Sequence, residues 1–213
     1  MNQNSMLFWY PLVKDLVPTP ATIFVRLDDF AITQAARVVG YPCFLRTDLT
    51  SGKHDWKNSC FVPDEASIPS HAAKVWQANE RWQMLGIEPQ AFVVREFLKL
   101  KTLFTAFEGS MPINKERRYF VEEGAVLCSH PYWEEKTFNN HPSRMADGAD
   151  WKEFLGILSE RGPDEKILDD YATIVAQKLG GAWSIDFAQD VMGKWWMLDM
   201  ALAFNSYHQE HNG

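Results

Sequence analysis

Apolar residues recur along this chain in two periods, and the switches between them outline its elements. Residues 22–27 (TIFVRL), 41–46 (YPCFLR) and 91–100 (AFVVREFLKL) are rich in β-branched and aromatic side chains, and each predicts a strand. Between the first two, residues 30–39 carry a helical pattern, with Asp28 and Asp29 available as caps and Gly40 closing it. In residues 70–85, Ala72, Val75, Trp76, Trp82 and Leu85 recur at helical spacing, which predicts one helix from an N-cap at Ser70 to Gly86. Residues 151–161 and 164–179 predict two more helices, the second ending at Gly180-Gly181. Strand-like runs at 117–121 and 125–129 flank Glu122-Glu123-Gly124, and runs at 183–189 and 194–200 flank Asp190-Val191-Met192-Gly193. Both pairs read as hairpins. The first twenty residues read as an apolar lead-in broken by Pro11, Pro18 and Pro20, and residues 47–56 and 134–150 as polar loops. No internal repeat is visible, and hairpins dominate after residue 90. The order of elements predicts an α+β fold rather than a doubly wound parallel sheet.

Composition narrows the class. With 213 residues, 46% hydrophobic and 23% charged, the chain suits one domain or two small lobes and is not disordered. Nine tryptophans point first to a well-filled aromatic core. A net charge of -7 argues against duplex nucleic acid as a partner. There is no apolar run of about 18 residues for a membrane span, and no secretory leader pattern. Three scattered cysteines suit neither a disulfide framework nor a zinc site. The expected location is cytoplasmic.

Several motifs fail on inspection. Gly52-Lys53 is not a phosphate-binding P-loop, because Thr47 stands where glycine is needed and His54 where a hydroxyl should reach magnesium. No dinucleotide-binding glycine motif exists, and the six histidines include no zinc-protease pattern. His208 and His211 read as a solvated tail. Ser129-His130 are adjacent in sequence, but a catalytic pair is defined in space.

Three features remain. Arg46 ends a strand, and Lys53 follows a Ser51-Gly52 turn, an arrangement that suits an anionic ligand and equally two solvated cations. Asp186 and Asp199 each sit in an apolar frame, thirteen positions apart on the two strands of the last hairpin. A four-residue turn between those strands puts both carboxylates on one face, where they suit Mg²⁺ or, as structural groups, an arginine or the backbone. Finally, Val94-Arg95-Glu96-Phe97-Leu98 and Glu116-Arg117-Arg118-Tyr119-Phe120 place charges within strands, with a guanidinium able to grip phosphate bidentately.

In this order the features resemble the ATP-grasp superfamily over residues 20–205. The closer likeness is to its divergent clade named for an arginine and two lysines, related to the cell-division-cycle-type chaperones that assemble translation initiation factor two. The family's strand-loop-lysine pattern matches Leu45-Arg46 through Lys53-His54-Asp55. Its hinge matches Val94-Arg95-Glu96-Phe97, its arginine strand Glu116 to Val121, and its acidic ending Asp186 and Leu198-Asp199. The resemblance implies two small α+β lobes with antiparallel sheets clasping a nucleotide: a lead-in at 1–20, a smaller lobe at 21–93 with the phosphate loop, and a larger lobe at 94–213 with the metal-binding hairpin. It implies ATP and Mg²⁺ as cofactors. Arg46, Ser51 and Lys53 would contact phosphates. Residues 94–98, including Arg95, Glu96 and Leu98, would hold adenine and ribose. Arg118, with Glu116 on the same strand, would sit at the transferable phosphate, and Asp186 and Asp199 would bind the metal.

The chain departs from the pattern in two places. Ala201 stands where the family commonly has an asparagine ligand, with Asn205 as the candidate substitute. No separate substrate domain is expected ahead of the first strand, so recognition falls to the 134–150 loop, the helices after it, or a partner. The implied activity is an ATP- and Mg²⁺-dependent ligase joining a carboxylate, from a peptide or protein, to an amine through an acyl phosphate. The alternatives are an ATP-binding assembly factor without ligation and an interaction protein with a silent nucleotide site.

Overall fold

The computed structural model describes residues 2–50, 55–84, 86–106, 111–139, 151–160 and 162–206. They fall into two compact units, one formed by residues 5–7 and 20–98 and the other by 1–4, 8–19 and 99–213.

In the first unit, β1 (Thr22–Val25), β2 (Cys43–Thr47), β3 (Phe61–Val62) and β4 (Phe92–Glu96) form an antiparallel sheet in the order β1-β4-β2-β3. Helices α2 (Asp29–Val39) and α3 (Ile68–Gln77) cover one face, burying Ile32, Ala36, Leu45, Val75 and Val94. Asp28 caps α2 as expected, accepting a hydrogen bond from Ala31 N at 2.7 Å. The single helix predicted over 70–85 is two: α3 starts at Ile68, before the expected cap at Ser70, and α4 (Glu80–Met84) follows a break. Asn79 supplies the reason. It is fully buried, its amide donates to Val75 O at 2.8 Å, and its Oδ1 accepts from Thr47 Oγ1 at 2.7 Å. The side chain thus takes the carbonyl that the Asn79 N–H would bond in a continuous helix, and that N–H donates to Trp76 O instead, at 3.0 Å.

The first helix, α1 (Met6–Val13), contradicts the reading of the N-terminus as proline-broken. Pro11 removes one helical N–H donor. Burial of Met6, Trp9, Tyr10 and Val13 outweighs that loss, at about 1.5–3 kcal/mol per large apolar side chain.

In the second unit, β7 (Glu116–Glu122), β8 (Ala125–Pro131), β9 (Ala182–Gln189) and β10 (Trp195–Leu202) form an antiparallel sheet in the order β10-β9-β7-β8. Glu122 pairs with Ala125, so the β7–β8 turn is the two residues Glu123 and Gly124, both at positive φ, as a tight primed turn requires. Helix α7 (Glu165–Leu179) packs on one face of this sheet, and its Tyr171 ring meets Phe187 of β9. A hairpin not anticipated from the sequence, β5 (Thr102–Ala106) with β6 (Met111–Asn114), shares an aromatic core with α5 (Glu135–Asn139) and α6 (Trp151–Ser159) through Phe104, Ile113, Phe138 and Leu158. The described part of the 134–150 loop therefore contains a short helix.

The β9–β10 connection is organised by Asp190. Its carboxylate accepts from Trp196 Nε1 at 2.8 Å and from the backbone N–H groups of Met192 and Lys194, each at 2.9 Å. The Trp196 hydrogen bond, helped by the two amides and opposed by slight burial, holds the Asp190 carboxyl below its ordinary value. Such a group stabilises the fold above the unfolded aspartate pKa, near 3.9, and ceases to do so as pH falls through its depressed folded value. Asp190→Ala is expected to lower stability at neutral pH by about 1 kcal/mol, or about 2–4 °C in Tm. The gap from wild type should narrow below about pH 4, which thermal melts at pH 7 and pH 3 would check.

Candidate functional site

The sheet of the first unit has a second face, away from α2 and α3. Cross-strand partners share a face, and the register pairs Arg95 with both Thr22 and Phe44, and Arg46 with Val93. Arg46 and Arg95 therefore lie on this second face, with Phe24, Phe44 and Phe61. Both arginines are buried, at 4% and 5% exposure. Arg46 Nε donates to Thr47 O at 3.0 Å, and Arg95 Nε to Thr22 Oγ1 at 3.0 Å. Beside them stands a three-ring cluster: Trp56 stacks on Phe97 at 6.4 Å with the planes 4° apart, and Phe61 meets Phe97 edge-on at 4.8 Å. Two cations near a flat aromatic group form a surface chemically suited to a nucleoside phosphate.

Glu96 does not join this face. It is paired with Cys43 on the helix side, is exposed, and its Oε2 accepts from Ala21 N at 3.3 Å. Leu98 is half-buried just past β4. Ser51, Lys53 and His54 lie outside the described residues, as do residues 140–150, His208 and His211.

The second unit supplies an acidic face. Alternation along β7 turns Arg117 toward the α7 side and Arg118 to the other side. Arg118 is opposite Asp186 of β9, and Asp186 is opposite Asp199 of β10. The three charged residues thus form one line across three neighbouring strands. A loop of residues 190–194 separates paired Gln189 and Trp195, one residue longer than the expected four-residue turn. Continued unbroken, that register would set Asp199 opposite Ile185, on the wrong face. A bulge at Leu198 shifts the pairing by one and places Asp199 directly opposite Asp186.

Within the line, Arg118 grips Asp186 bidentately, with Nε to Oδ1 at 2.7 Å and Nη2 to Oδ2 at 2.8 Å. Burial by itself would pull the Arg118 guanidinium down. The hydrogen bond and charge of Asp186, with smaller contributions from Tyr132 and Asp199, instead hold it above its ordinary value. Asp199 Oδ1 accepts from Met200 N at 3.0 Å. Magnesium is commonly held by one or two carboxylates plus substrate phosphates. Two aspartates in direct register fit that need, and no larger cluster of metal-ligating side chains occurs among the described residues. Ala201, opposite Ser184, offers no side-chain donor, and the Asn205 amide donates to Asn4 Oδ1 at 2.9 Å.

Glu116 shares the face of Arg118 but is buried. Its Oε1 accepts from Asn114 Nδ2 at 3.2 Å and Trp133 Nε1 at 3.3 Å. Tyr132, not singled out from the sequence, lays its ring over Arg118, with Cζ 4.6 Å from the centroid. The available signal was the aromatic pair Tyr132-Trp133 directly after β8. Ser129 and His130 point to opposite faces of β8, being paired with Tyr119 and Arg118 respectively, so they form no catalytic pair.

A comparison with curated proteins finds no match. Among solved structures, the chain is similar in fold to N5-carboxyaminoimidazole synthase from Aspergillus clavatus in complex with ADP and its ribonucleotide (TM-score 0.57, 9% identity, 93% of this chain and 44% of that one). It is similar to PsnB, an ATP-grasp ligase complexed with a minimal precursor (TM-score 0.52, 14% identity, 94% and 52%). It is also similar to the biotin carboxylase domain of the 2-oxoglutarate carboxylase of Hydrogenobacter thermophilus, complexed with MgADP, ADP and bicarbonate (TM-score 0.57, 11% identity, 93% and 39%). The chain spans about half or less of the length of each. No helix among the described residues is long and apolar enough to cross a membrane. The α+β architecture, the antiparallel sheets and a family model for an ATP-grasp domain, the third family of its clade, which matches residues 13–200, agree: the chain belongs to the ATP-grasp family.

Proposed function

We propose that this protein is an ATP- and Mg²⁺-dependent ligase that joins a carboxylate, carried by a peptide or protein, to an amine. The observation that carries the reading is the in-register line of Arg118, Asp186 and Asp199. In such a reaction the substrate carboxylate oxygen attacks the terminal phosphorus of ATP, ADP leaves, and an acyl phosphate forms. The amine then attacks the acyl carbon, inorganic phosphate leaves, and an amide remains. Phosphoryl transfer asks the protein chiefly for positioning and charge stabilisation. Arg118, fixed by Asp186 through two of its N–H groups, offers the remaining ones to the transferred phosphoryl group. Asp186 and Asp199 would hold Mg²⁺, which when bound neutralises charge on the phosphates. In the other unit, Arg46 and Lys53 are the phosphate-binding candidates, and the backbone of residues 94–98 the candidate for adenine and ribose.

A second reading, an assembly factor that binds ATP without ligation, gains support from Ala201 and from the tethered Asn205 amide.

Thermal-shift titration tests the nucleotide site. ATP with Mg²⁺ is expected to raise the wild-type midpoint, because a ligand bound only by the native state stabilises it by mass action. At about 100 times Kd the gain is about 2.7 kcal/mol. The Mg²⁺-dependent part of the shift should vanish in Asp199→Asn. No shift with ATP, ADP or GTP in any condition would rule out both readings. Release of ADP and phosphate with a new amide separates the ligase from the assembly factor.

A further inference from the structure

Arg118 is held from two sides, and only one of them is the acidic pair. On the other, Tyr132 stacks on the guanidinium at 4.6 Å. Tyr132 is held through its backbone and through its neighbour's ring. The Tyr132 backbone N–H donates to Glu116 O at 3.1 Å. The neighbouring Trp133 ring meets Tyr132 edge-on at 5.2 Å. Trp133 is itself held by its indole N–H on the buried Glu116 carboxylate, and it packs on Phe138 at 6.3 Å. Glu116 lies two residues before Arg118 on the same strand and the same face. The strand that carries the arginine thus also carries the anchor for the aromatic pair that covers it.

We propose that Tyr132 is a positioning residue for Arg118, and that Glu116 acts through Trp133 to keep it there rather than by touching nucleotide. A guanidinium packed against an aromatic face keeps its plane fixed while its N–H groups remain directed along that plane. Here that plane is directed at Asp186. In the nucleotide reading, on which the second half of this proposal rests, the Arg118 N–H groups not engaged by Asp186 meet the terminal phosphate of ATP. Losing the ring lets the guanidinium rotate, and binding of ATP suffers more than binding of ADP, which lacks that phosphate.

Two variants and two measurements decide it. Tyr132→Phe keeps the aromatic face, whereas Tyr132→Leu keeps apolar bulk without it. The first measurement needs no nucleotide: hydrogen exchange at Arg118 Nε–H, followed by nitrogen-15 NMR on the full chain, with the backbone amide spectrum confirming the fold. Exchange is expected to quicken about tenfold or more in Tyr132→Leu and to stay as in wild type in Tyr132→Phe. The second is the Kd for ATP and for ADP in Mg²⁺. Tyr132→Leu is expected to weaken ATP about tenfold and ADP less than about twofold, with Tyr132→Phe close to wild type. Unchanged Arg118 exchange in Tyr132→Leu, or equal losses of ATP and ADP, overturns the proposal. If wild type binds neither nucleotide, the nucleotide reading fails, and the exchange measurement alone decides the role of Tyr132.

Discussion

Arg118→Leu is expected to destabilise the protein by about 3–5 kcal/mol, among the largest effects of any single charged residue in the chain. The ion pair with Asp186 is mostly withdrawn from water, the two side chains retaining 15% and 13% exposure. Removing the cation leaves the Asp186 carboxylate without the two donors that compensate its burial, with the Asp199 charge directly opposite on β10. The stability loss then measures an uncompensated charge more than a lost attraction. The double variant Arg118→Leu/Asp186→Leu separates the two terms. Because an apolar pair can replace a buried ion pair at little cost, the second substitution should restore most of the loss. Urea denaturation of wild type, both single variants and the double variant forms the necessary cycle. A double variant as unstable as Arg118→Leu would mean that the pair is not the source of the effect. Arg118→Lys should fall between, since an ammonium keeps the charge but not the two-pronged grip.

The acidic face of the second unit was more legible in the sequence than the cationic face of the first, and topology explains the difference. Asp186 and Asp199 lie on adjacent strands of one hairpin, so local spacing alone suggested that they meet. Even there the route differed, because a longer loop and the bulge at Leu198 produce the facing that a regular four-residue turn was expected to give. Arg46 and Arg95 share a face only because β4 inserts between β1 and β2, and no local pattern announces a non-sequential pairing. The same limit hid Glu96, whose place in the motif suggested a ligand but whose register puts it with the helix-covered face. The β5–β6 hairpin escaped notice because β6 is four residues long and contains Pro112, a residue that argues against strand. Its aromatic partners in α5 and α6 compensate. Helix α1 and the break at Asn79 have a common lesson: burial of particular side chains overrode a proline in one case and a continuous helical pattern in the other.

The line of charges also depends on the face it does not occupy. Along β9, Ile185 and Phe187 alternate with Asp186 and point to the α7 side, where both are fully buried. Phe187 meets Tyr119 of β7 edge-on at 5.7 Å with the rings 89° apart, and Tyr171 of α7 at 6.3 Å. Phe187→Ala is expected to cost about 3–5 kcal/mol, the sum of lost transfer energy and the cavity left between sheet and helix. For a chain of this length each kcal/mol corresponds to about 2–4 °C, so a fall in Tm of about 6–20 °C should be seen. Phe187→Leu keeps most of the volume and should lose less than half as much. Asp186 is the residue immediately before, and its position is set by the same strand. If α7 holds β9 in place through Phe187, the alanine variant should also weaken Mg²⁺-dependent nucleotide binding at temperatures where it is still folded, although Phe187 points away from the acidic face. Full stability in Phe187→Ala would show that this aromatic contact does not fasten the strand carrying Asp186, and the rigidity of the acidic face would then have to come from the backbone pairing of β7, β9 and β10 alone.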